Sequence, residues 1–286
     1  MIALSAELEK CGFRVERNRL SHATRACLFN SFNFDFRRLR RKSKDADARM
    51  VHRVDGPIDR YRGHKRGVDR EIWEINMDVA DATIFQSQYS LEAHREMGFE
   101  FKSPVVMHNA VDSSVFYPRG SMLRPQSRKT RLISSSWSDN PNKGAAVYKW
   151  LEENLDWEHY EYTFVGRSPI RFDRIRMLPP VAPRRLASLL REHDIFITAS
   201  VYDPCSNSLL EALACGLPAI YMRSGGHPEL VGAAGYGFDH HEEIPELLDR
   251  LVGHYDHTVG EINVPRLTEV GTAYLDVMGL LEAESE

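Results

Sequence analysis

The segment from Phe196 to Glu229 constrains the fold more than any other part of the chain. Ile195–Thr198 consists of β-branched and aromatic residues and predicts a strand, and Ser208–Cys215 has the composition of a helix. A polar loop that contains Asp203 joins the two, a glycine and a proline then end the helix, and Leu217–Met222 predicts the next strand. The segment therefore predicts strand, loop, helix, turn and strand, which is a unit of a parallel α/β sheet.

The same alternation of strands and helices extends over most of the chain. Predicted strands and apolar runs are Phe13–Glu16, Arg25–Phe32, Met50–Val54, Ala82–Gln86, Val105–His108, Arg131–Ser135 and Tyr162–Val165. Predicted helices are Ile2–Cys11, Glu71–Val79, Leu91–Met97, Ala145–Leu155 and Pro183–Glu192, and the chain from Ile244 onward is mainly helical. The strands repeatedly end in polar residues, and ligands of open parallel sheets gather at those carboxyl ends. The fold class is therefore predicted to be α/β.

Composition and charge narrow the class of protein. Hydrophobic residues make up 42% and charged residues 27% of the 286 residues, as in a globular protein long enough for two domains. No apolar run reaches the roughly 20 residues that span a bilayer, and the N-terminus has acids where a signal peptide has a basic end, so we expect a cytoplasmic protein. The four cysteines are scattered, which favours neither a zinc site nor a disulfide framework.

Basic residues are concentrated in the first half and acidic residues in the last part of the chain. The basic segment contains Arg37, Arg38, Arg40, Arg41, Lys42, Lys44, Arg49, Arg53, Arg60, Arg62, Lys65, Arg66 and Arg70. Such a segment indicates contact with an anionic partner or with the acidic tail, although a solvated helix face explains it equally well.

The loop and helix within the segment from Phe196 to Glu229 are suited to binding an anion. A helix N-terminus offers unpaired backbone N–H groups and the positive end of a dipole, which favour phosphate. Asp203 and Glu211 stand eight residues apart, one in the loop and one in the helix. An ionised carboxylate accepts hydrogen bonds from two hydroxyl groups at once, so both residues are candidates for binding a sugar.

Four motifs in order resemble the retaining glycosyltransferases of family 4, which have the GT-B fold. The motifs are, in chain order, a linker (His108 to Pro118), a Lys-Gly loop (Asp139 to Gly144), an element in which an acid and a glutamate stand eight residues apart and the sequence continues to Pro218 (Asp203 and Glu211), and a Gly-Gly-x-x-Glu turn (Gly225 to Glu229). The resemblance covers the chain from about Ala82 to Pro228. Asp203 is a departure, because many relatives carry glutamate there.

The resemblance implies two Rossmann-like parallel-sheet domains that face a cleft. We expect an acceptor-side domain over 1–118, a nucleotide-sugar-binding domain over 119–264 and a C-terminal helix over 265–286. The family opens with a strand and a Gly-rich loop, whereas this chain begins at the helix that would follow them. The N-terminal domain is therefore expected to be reduced.

The resemblance also implies roles on the donor side. Lys143 would neutralise the donor diphosphate without a metal, Glu211 would accept from the ribose hydroxyls, and Asp203 would lie near the donor hexose. The further donor-binding candidates are Ser138, Asn140, Gly166, Arg167, Ser206, Asn207, Ser208, Leu209, Gly225 and Gly226. We expect no metal ion and no cofactor; the single Asp-x-Asp sequence, Asp45 to Asp47, lacks a flanking apolar strand.

In the N-terminal half, His52 and Asp55 are candidate catalytic residues at a strand end, where relatives carry a histidine of the active site. An alternative is that Arg53 and Asp55 form a structural ion pair. The acceptor-side candidates at strand ends are Asn30, Asn33, Arg53, Gln86, Ser87 and Asn109, and Ser31 lies beside them in the sequence.

The predicted function is retaining transfer of a hexose from a nucleotide-diphosphate sugar to an acceptor hydroxyl, with Lys143, Asp203, Asp55 and His52 as catalytic residues. The acceptor is a saccharide, a lipid-linked molecule or another hydroxyl compound, and nucleic acid is not expected because the aromatics are not interleaved with the charges. Alternatives are a nucleotide-sugar epimerase of the same fold and a non-catalytic protein that binds a nucleotide-sugar or, through the basic segment, an anionic membrane surface.

Overall fold

The structure, a computed structural model, describes residues 2–62, 67–120 and 128–281. The chain forms two compact units. One comprises Met1–Ala110 together with Pro265–Glu286, and the other comprises Val111–Val264. The predicted residues Lys65 and Arg66 of the basic segment lie outside the described residues.

The first unit contains a four-stranded parallel sheet with helices between the strands. Its strands are β1 Ala26–Asn30, β2 Arg49–Val54, β3 Ala82–Phe85 and β4 Pro104–Val106, paired in that order. The helices are α1 Ile2–Lys10, α2 Phe36–Ser43, α3 Ile58–Arg62, α4 Val68–Val79 and α5 Gln88–Glu96. The polar residues after β1, β2 and β3 therefore lie at one edge of this sheet.

The second unit contains a six-stranded parallel sheet. Its strands are β5 Thr130–Ser136, β6 Tyr160–Gly166, β7 Arg176–Leu178, β8 Ile195–Thr198, β9 Ala219–Met222 and β10 Gly235–Phe238. The sheet order is β10-β9-β8-β5-β6-β7. The helices are α6 Ala145–Asn154, α7 Pro183–Glu192, α8 Asn207–Ala214, α9 His227–Val231, α10 Ile244–Gly253 and α11 Tyr255–Gly260. All four residues of β8 are buried, as expected for a central strand of β-branched and aromatic residues covered on both faces.

Two parallel sheets with helices confirm the predicted α/β class. The position of the boundary differs from the predicted 118/119, because Phe116 is buried in the core of the second unit and Val111 and Val115 pack against the same cluster. The chain therefore enters the second unit at Val111.

The C-terminal helix is not a separate segment. This helix, α12 Leu267–Val277, returns to the first unit and packs against α1, with Tyr274 and Leu275 buried beside Leu4 and Leu8. A helix thus lies within the predicted segment 265–286, and the apolar face that α12 buries makes it part of the first unit.

One smaller expectation differs from the structure. Phe13–Glu16 forms no strand, although Phe13 packs against the α1–α12 cluster. Asp45 and Asp47 lie exposed between α2 and β2. Within the described parts of the chain, no helix combines the length and apolar character needed to cross a membrane.

Candidate functional site

The carboxyl edge of the second sheet brings Lys143 and Asp203 together. Lys143 ends a short 3-10 turn after β5, and Asp203 lies in the loop after the neighbouring strand β8. The Lys143 Nζ donates to Asp203 Oδ2 at 2.8 Å, and the two side chains are 23% and 12% exposed. A partly exposed cation at this edge is available to an anionic group that competes for it.

Two glycines let the backbone segments of this site approach closely. Gly144 has φ +78, and a Cβ there would overlap the carbonyl of Ala199 at the end of β8. Gly225 has φ +65, and a Cβ there would overlap the backbone of Asp203. Only glycine fits either position, which gives the Lys-Gly and Gly-Gly motifs a steric reason.

The loop that carries Asp203 is also fixed by hydrogen bonds. The Val201 amide donates to the Asn142 carbonyl at 2.8 Å, and the Gly226 amide donates to the Asp203 carbonyl at 2.9 Å. Tyr202 has φ 58, an uncommon conformation for a residue with a side chain, and its amide donates to Ser224 Oγ at 2.9 Å. Backbone strain of this kind occurs where surrounding contacts determine the loop, often at functional sites.

Glu211 carries a carboxylate oxygen without a partner. It lies in α8, half-buried, and its Oε2 is buried without any hydrogen bond among the described residues. Burial raises the pKa of Glu211 from 4.5 to about 7, because removal from water disfavours the charged form. A buried acceptor with free lone pairs is suited to hydroxyl donors from a ligand.

The start of α8 offers backbone donors beside these side chains. Ser206 precedes the helix without a side-chain cap, and its hydroxyl lies 3.1 Å from that of Ser208. The amides of the first turn, which includes Asn207 and Leu209, point away from the helix body, as at any helix N-terminus. This geometry is compatible with the predicted phosphate contact.

The ends of β5 and β6 meet at Gly166. This residue has φ +121, and a Cβ there would overlap the Ser136 carbonyl, which accepts from the Arg167 amide at 2.8 Å. Arg167 itself is exposed. The Ser138 hydroxyl accepts from the Asn140 amide at 3.1 Å, so these two predicted residues shape the loop that leads to Lys143.

In the first unit, four predicted residues form a closed ring of polar contacts. Arg53 donates to Asp55 at 3.2 Å and to Asn109 at 2.9 Å, and Asn109 donates to Gln86 at 2.9 Å. Gln86 donates in turn to Asp55. The alternative that Arg53 and Asp55 pair structurally is thus what the structure shows, within a network at the strand ends.

The structure corrects the expected position of His52. Its side chain is 0% exposed, stacks on Phe29 with ring centroids 4.4 Å apart, and lies 3.1 Å from Asn76 through Nδ1. Burial lowers the pKa of His52 to about 3, so the ring is neutral. His52 therefore belongs to the core of the sheet rather than to a surface that a ligand reaches.

The remaining acceptor-side candidates have separate positions. Asn30 is exposed at the end of β1 and Asn33 is exposed after it. Ser87 is buried, and its hydroxyl caps α5 by accepting from the Ser90 amide. Ser31 links the end of β1 to the end of β2, because its Oγ accepts a hydrogen bond from the Asp55 amide at 2.6 Å.

Three residues of these sites carry no predicted role. Ser90 donates to the Asp55 carbonyl at 2.7 Å, Tyr202 is strained, and His227 is fully buried behind the Gly-Gly turn. His227 lies within the Gly-Gly-x-x-Glu motif, but its hydrogen-bond partners, Met222 at the end of β9 and Ser200 in the loop after β8, lie outside the motif.

Known proteins resemble this chain in sequence and fold. The model of the family Glycosyl transferases group 1 matches residues 152–255. A probable sucrose-phosphate synthase of Thermosipho melanesiensis is 25% identical over 190 residues, which are 60% of this chain and 45% of that protein. A D-inositol 3-phosphate glycosyltransferase of Corynebacterium glutamicum is 26% identical over 67% of this chain and 43% of its own length. The chain thus matches less than half the length of these two relatives.

Among solved structures, the Anabaena protein HepE in complex with UDP and glucose has the same fold, with a TM-score of 0.70. It is 17% identical, and the match covers 89% of this chain and 78% of HepE. The chain therefore has the two-sheet α/β fold of this structure, which is the GT-B fold, and its residues 152–255 are similar to the family Glycosyl transferases group 1.

Proposed function

We propose that the chain transfers a hexose from a nucleotide-diphosphate sugar to an acceptor hydroxyl, with retention of configuration and without a metal ion. The observation that carries the proposal is the Lys143–Asp203 pair at the edge of the second sheet, together with the unpartnered carboxylate of Glu211 in the following helix. Solved structures of similar fold that contain UDP and glucose support a nucleotide-sugar donor.

Different groups of the second unit bind different parts of the donor. Lys143 exchanges Asp203 for the diphosphate, and the amides at the start of α8 add donors to the phosphate oxygens. Glu211 accepts from the ribose hydroxyls. Asp203, released from the lysine, accepts from hydroxyls of the hexose.

The reaction breaks the bond between the anomeric carbon and the diphosphate oxygen. The acceptor oxygen attacks the anomeric carbon from the face that the diphosphate leaves, and its proton passes to the departing diphosphate. Negative charge grows on the diphosphate as positive charge grows on the sugar ring, so Lys143 stabilises the transition state more than the ground state.

Lys143→Ala tests this proposal. Loss of one fixed charge at a leaving group costs on the order of a hundredfold to a thousandfold in kcat, so we expect transfer and donor hydrolysis to fall by that factor. Lys129→Ala is the matched control, because Lys129 is an exposed lysine of the same unit that binds the Trp157 carbonyl. Donors are chosen by thermal shift with UDP, GDP and ADP and their hexose conjugates.

Full activity of Lys143→Ala would contradict the proposal. An isomerised nucleotide-sugar formed without any acceptor would instead identify an epimerase. Retention is measured by the anomeric configuration of the product, and metal independence by activity in the presence of a chelator.

The acceptor side and the membrane contact belong to the first unit. Its ring of Arg53, Asp55, Gln86 and Asn109 presents polar atoms at the strand ends, which suits hydroxyl groups of a saccharide or lipid-linked acceptor.

The basic side chains of helix α2 support peripheral contact with an anionic membrane. It has no buried residue, and Arg40 pairs with Asp78 at 2.6 Å. The other cations of this helix form no ion pair with any described residue; they are Arg37, Arg38, Arg41 and Lys42. Each basic side chain near an anionic leaflet contributes about 1 kcal/mol, so the four together give measurable binding.

Sedimentation with vesicles measures this contact. We expect binding to vesicles of phosphatidylcholine and phosphatidylserine at low salt, loss of binding at high salt, and no binding to phosphatidylcholine alone. Replacement of the four cations by glutamine is expected to abolish binding without changing donor hydrolysis. The membrane contact is disproved by an absence of low-salt binding in the unchanged protein.

A further inference from the structure

His227 lies at the centre of a buried chain of hydrogen bonds between two strand ends. Its side chain is 0% exposed at the start of α9, directly after the Gly-Gly turn. The ring places Nδ1 3.1 Å from the Met222 carbonyl and Nε2 3.2 Å from Ser200 Oγ. Ser200 Oγ in turn lies 3.2 Å from Thr198 Oγ1.

The chemistry of these atoms fixes the direction of the chain. A carbonyl only accepts, so Nδ1 carries the hydrogen and donates to Met222. Burial lowers the pKa of His227 and keeps the ring neutral, and Nε2 therefore accepts from the Ser200 hydroxyl. Thr198 Oγ1 then donates to Ser200 Oγ, which has its lone pairs free.

This chain of hydrogen bonds joins the end of β9 to the end of β8 and to the loop that carries Asp203. Thr198 ends β8 and Met222 ends β9, and Ser200 stands three residues before Asp203. Two further hydrogen bonds link this loop to the turn after β9, from Tyr202 N to Ser224 Oγ and from Gly226 N to Asp203 O. His227 is thus a side-chain support of a loop whose backbone is strained at Tyr202.

We propose that His227 is a positioning residue: through Ser200 it holds the loop of Asp203 in the geometry that receives the donor hexose, whereas nucleotide binding does not depend on it. The inference rests on the proposed function. It distinguishes binding of the nucleotide from binding of the hexose. Lys143 and Glu211, which contact the nucleotide in the proposed function, lie outside the hydrogen-bond chain, whereas Asp203, which contacts the hexose, lies in the loop that His227 holds.

His227→Phe keeps an aromatic ring at this position and removes both hydrogen bonds. With UDP and UDP-glucose as probes in calorimetric titrations, we expect the Kd of UDP to change less than twofold and the Kd of UDP-glucose to rise at least tenfold. The kcat of donor hydrolysis is expected to fall as the Kd of UDP-glucose rises. Ser200→Ala, which removes only the link to the loop, is expected to act in the same direction, while His227→Gln, whose amide reaches Ser200, recovers part of the loss.

His257→Phe is the matched control, because His257 is exposed in α11 away from the strand ends. Equal weakening of UDP and UDP-glucose would indicate a purely structural role and overturn the inference, as would unchanged UDP-glucose binding. If His227→Phe does not fold, Ser200→Ala decides by the same criteria.

Hydrogen exchange separates this inference from the proposed function. In the absence of ligand, the amides of Tyr202 and Gly226 are expected to exchange faster in both variants than in the unchanged protein. Unchanged exchange would overturn the positioning role even if the chain transfers hexose. Faster exchange in a protein that binds no nucleotide-sugar of any base would overturn the proposed function and, with it, the assignment to the hexose.

Discussion

Glu211 illustrates how the burial of a single carboxyl group makes stability depend on pH. Its Oε2 is buried without a partner, and its carboxyl group has a pKa of about 7. The unfolded chain ionises this group near 4.5, so between about 4.5 and 7 the folded state binds more protons than the unfolded state. The free energy of unfolding therefore falls as the pH rises through this range, by up to about 1.4 kcal/mol per pH unit.

Glu211→Gln is expected to stabilise the protein at pH 8 and to leave its stability at pH 4.5 almost unchanged. The neutral amide avoids the buried charge, and we expect a gain of about 1–3 kcal/mol in the free energy of unfolding at pH 8. Thermal or urea unfolding at several pH values measures this gain. Glu158→Gln, at an exposed position, is the control. A loss of stability at pH 8 would show that the carboxylate has a partner in the folded state.

At the scale of elements, strand ends in the second unit are held together by glycines. Gly166 ends β6 with φ +121 against the Ser136 carbonyl at the end of β5. This contact shapes the loop that leads from β5 to Lys143. The close approach at Gly166 therefore links the register of β5 and β6 to the position of the loop that carries Lys143.

Gly166→Ala is expected to destabilise the protein by about 3 kcal/mol or more, because it introduces both a disfavoured φ and an overlap with backbone. Chemical denaturation gives the change. Gly253→Ala serves as the control, since nothing lies within 4 Å of its Cβ position at the end of α10. A loss in Gly166→Ala no greater than that in the control would mean that the strand ends separate at little cost.

The interior elements were predictable from local pattern. β8 has the predicted bounds, Ile195–Thr198, because a run of β-branched and aromatic residues suits a strand buried on both faces. The short strands β7 and β10 were not predicted. They form the two edges of the sheet, are three and four residues long, and contain an arginine and two glycines, so they lack the apolar signal of a central strand.

The candidate site was predictable to the extent that its motifs are local. Lys143, Asp203 and the Gly-Gly turn are brought together at one sheet edge, as parallel topology requires of residues that follow neighbouring strands. The burial of His52 was not predictable, because its environment depends on Asn76 in α4 and Phe29 in β1. Local alternation tells which face of the strand His52 occupies but not which helix covers that face.

At the scale of the whole molecule, each unit has its own core. Among the described residues, every buried apolar cluster draws its members from one unit alone. The first unit nevertheless takes part of its core from α12, at the far end of the sequence. Stability of the first unit is therefore expected to depend on residues beyond the second.

Tyr274→Ala tests this dependence. Tyr274 is 3% exposed in the cluster between α1 and α12, so its truncation is expected to cost about 3–5 kcal/mol. Hydrogen exchange is expected to increase in β1–β4 and to remain unchanged in β5–β10. Leu213→Ala, in the core of the second unit, is the counterpart and should give the reverse pattern. Increased exchange in both sheets for either variant would show that the units unfold together.

The return of α12 to the first unit also sets an order of events during synthesis. The ribosome synthesises Val111–Val264, with every strand of the second sheet, before it makes Leu267–Val277. At roughly 5–20 residues per second, the first unit waits on the order of ten to thirty seconds for its last helix. During that interval the apolar face of α1 that α12 later covers is exposed, which makes the nascent chain a candidate for chaperone binding while the second unit already folds.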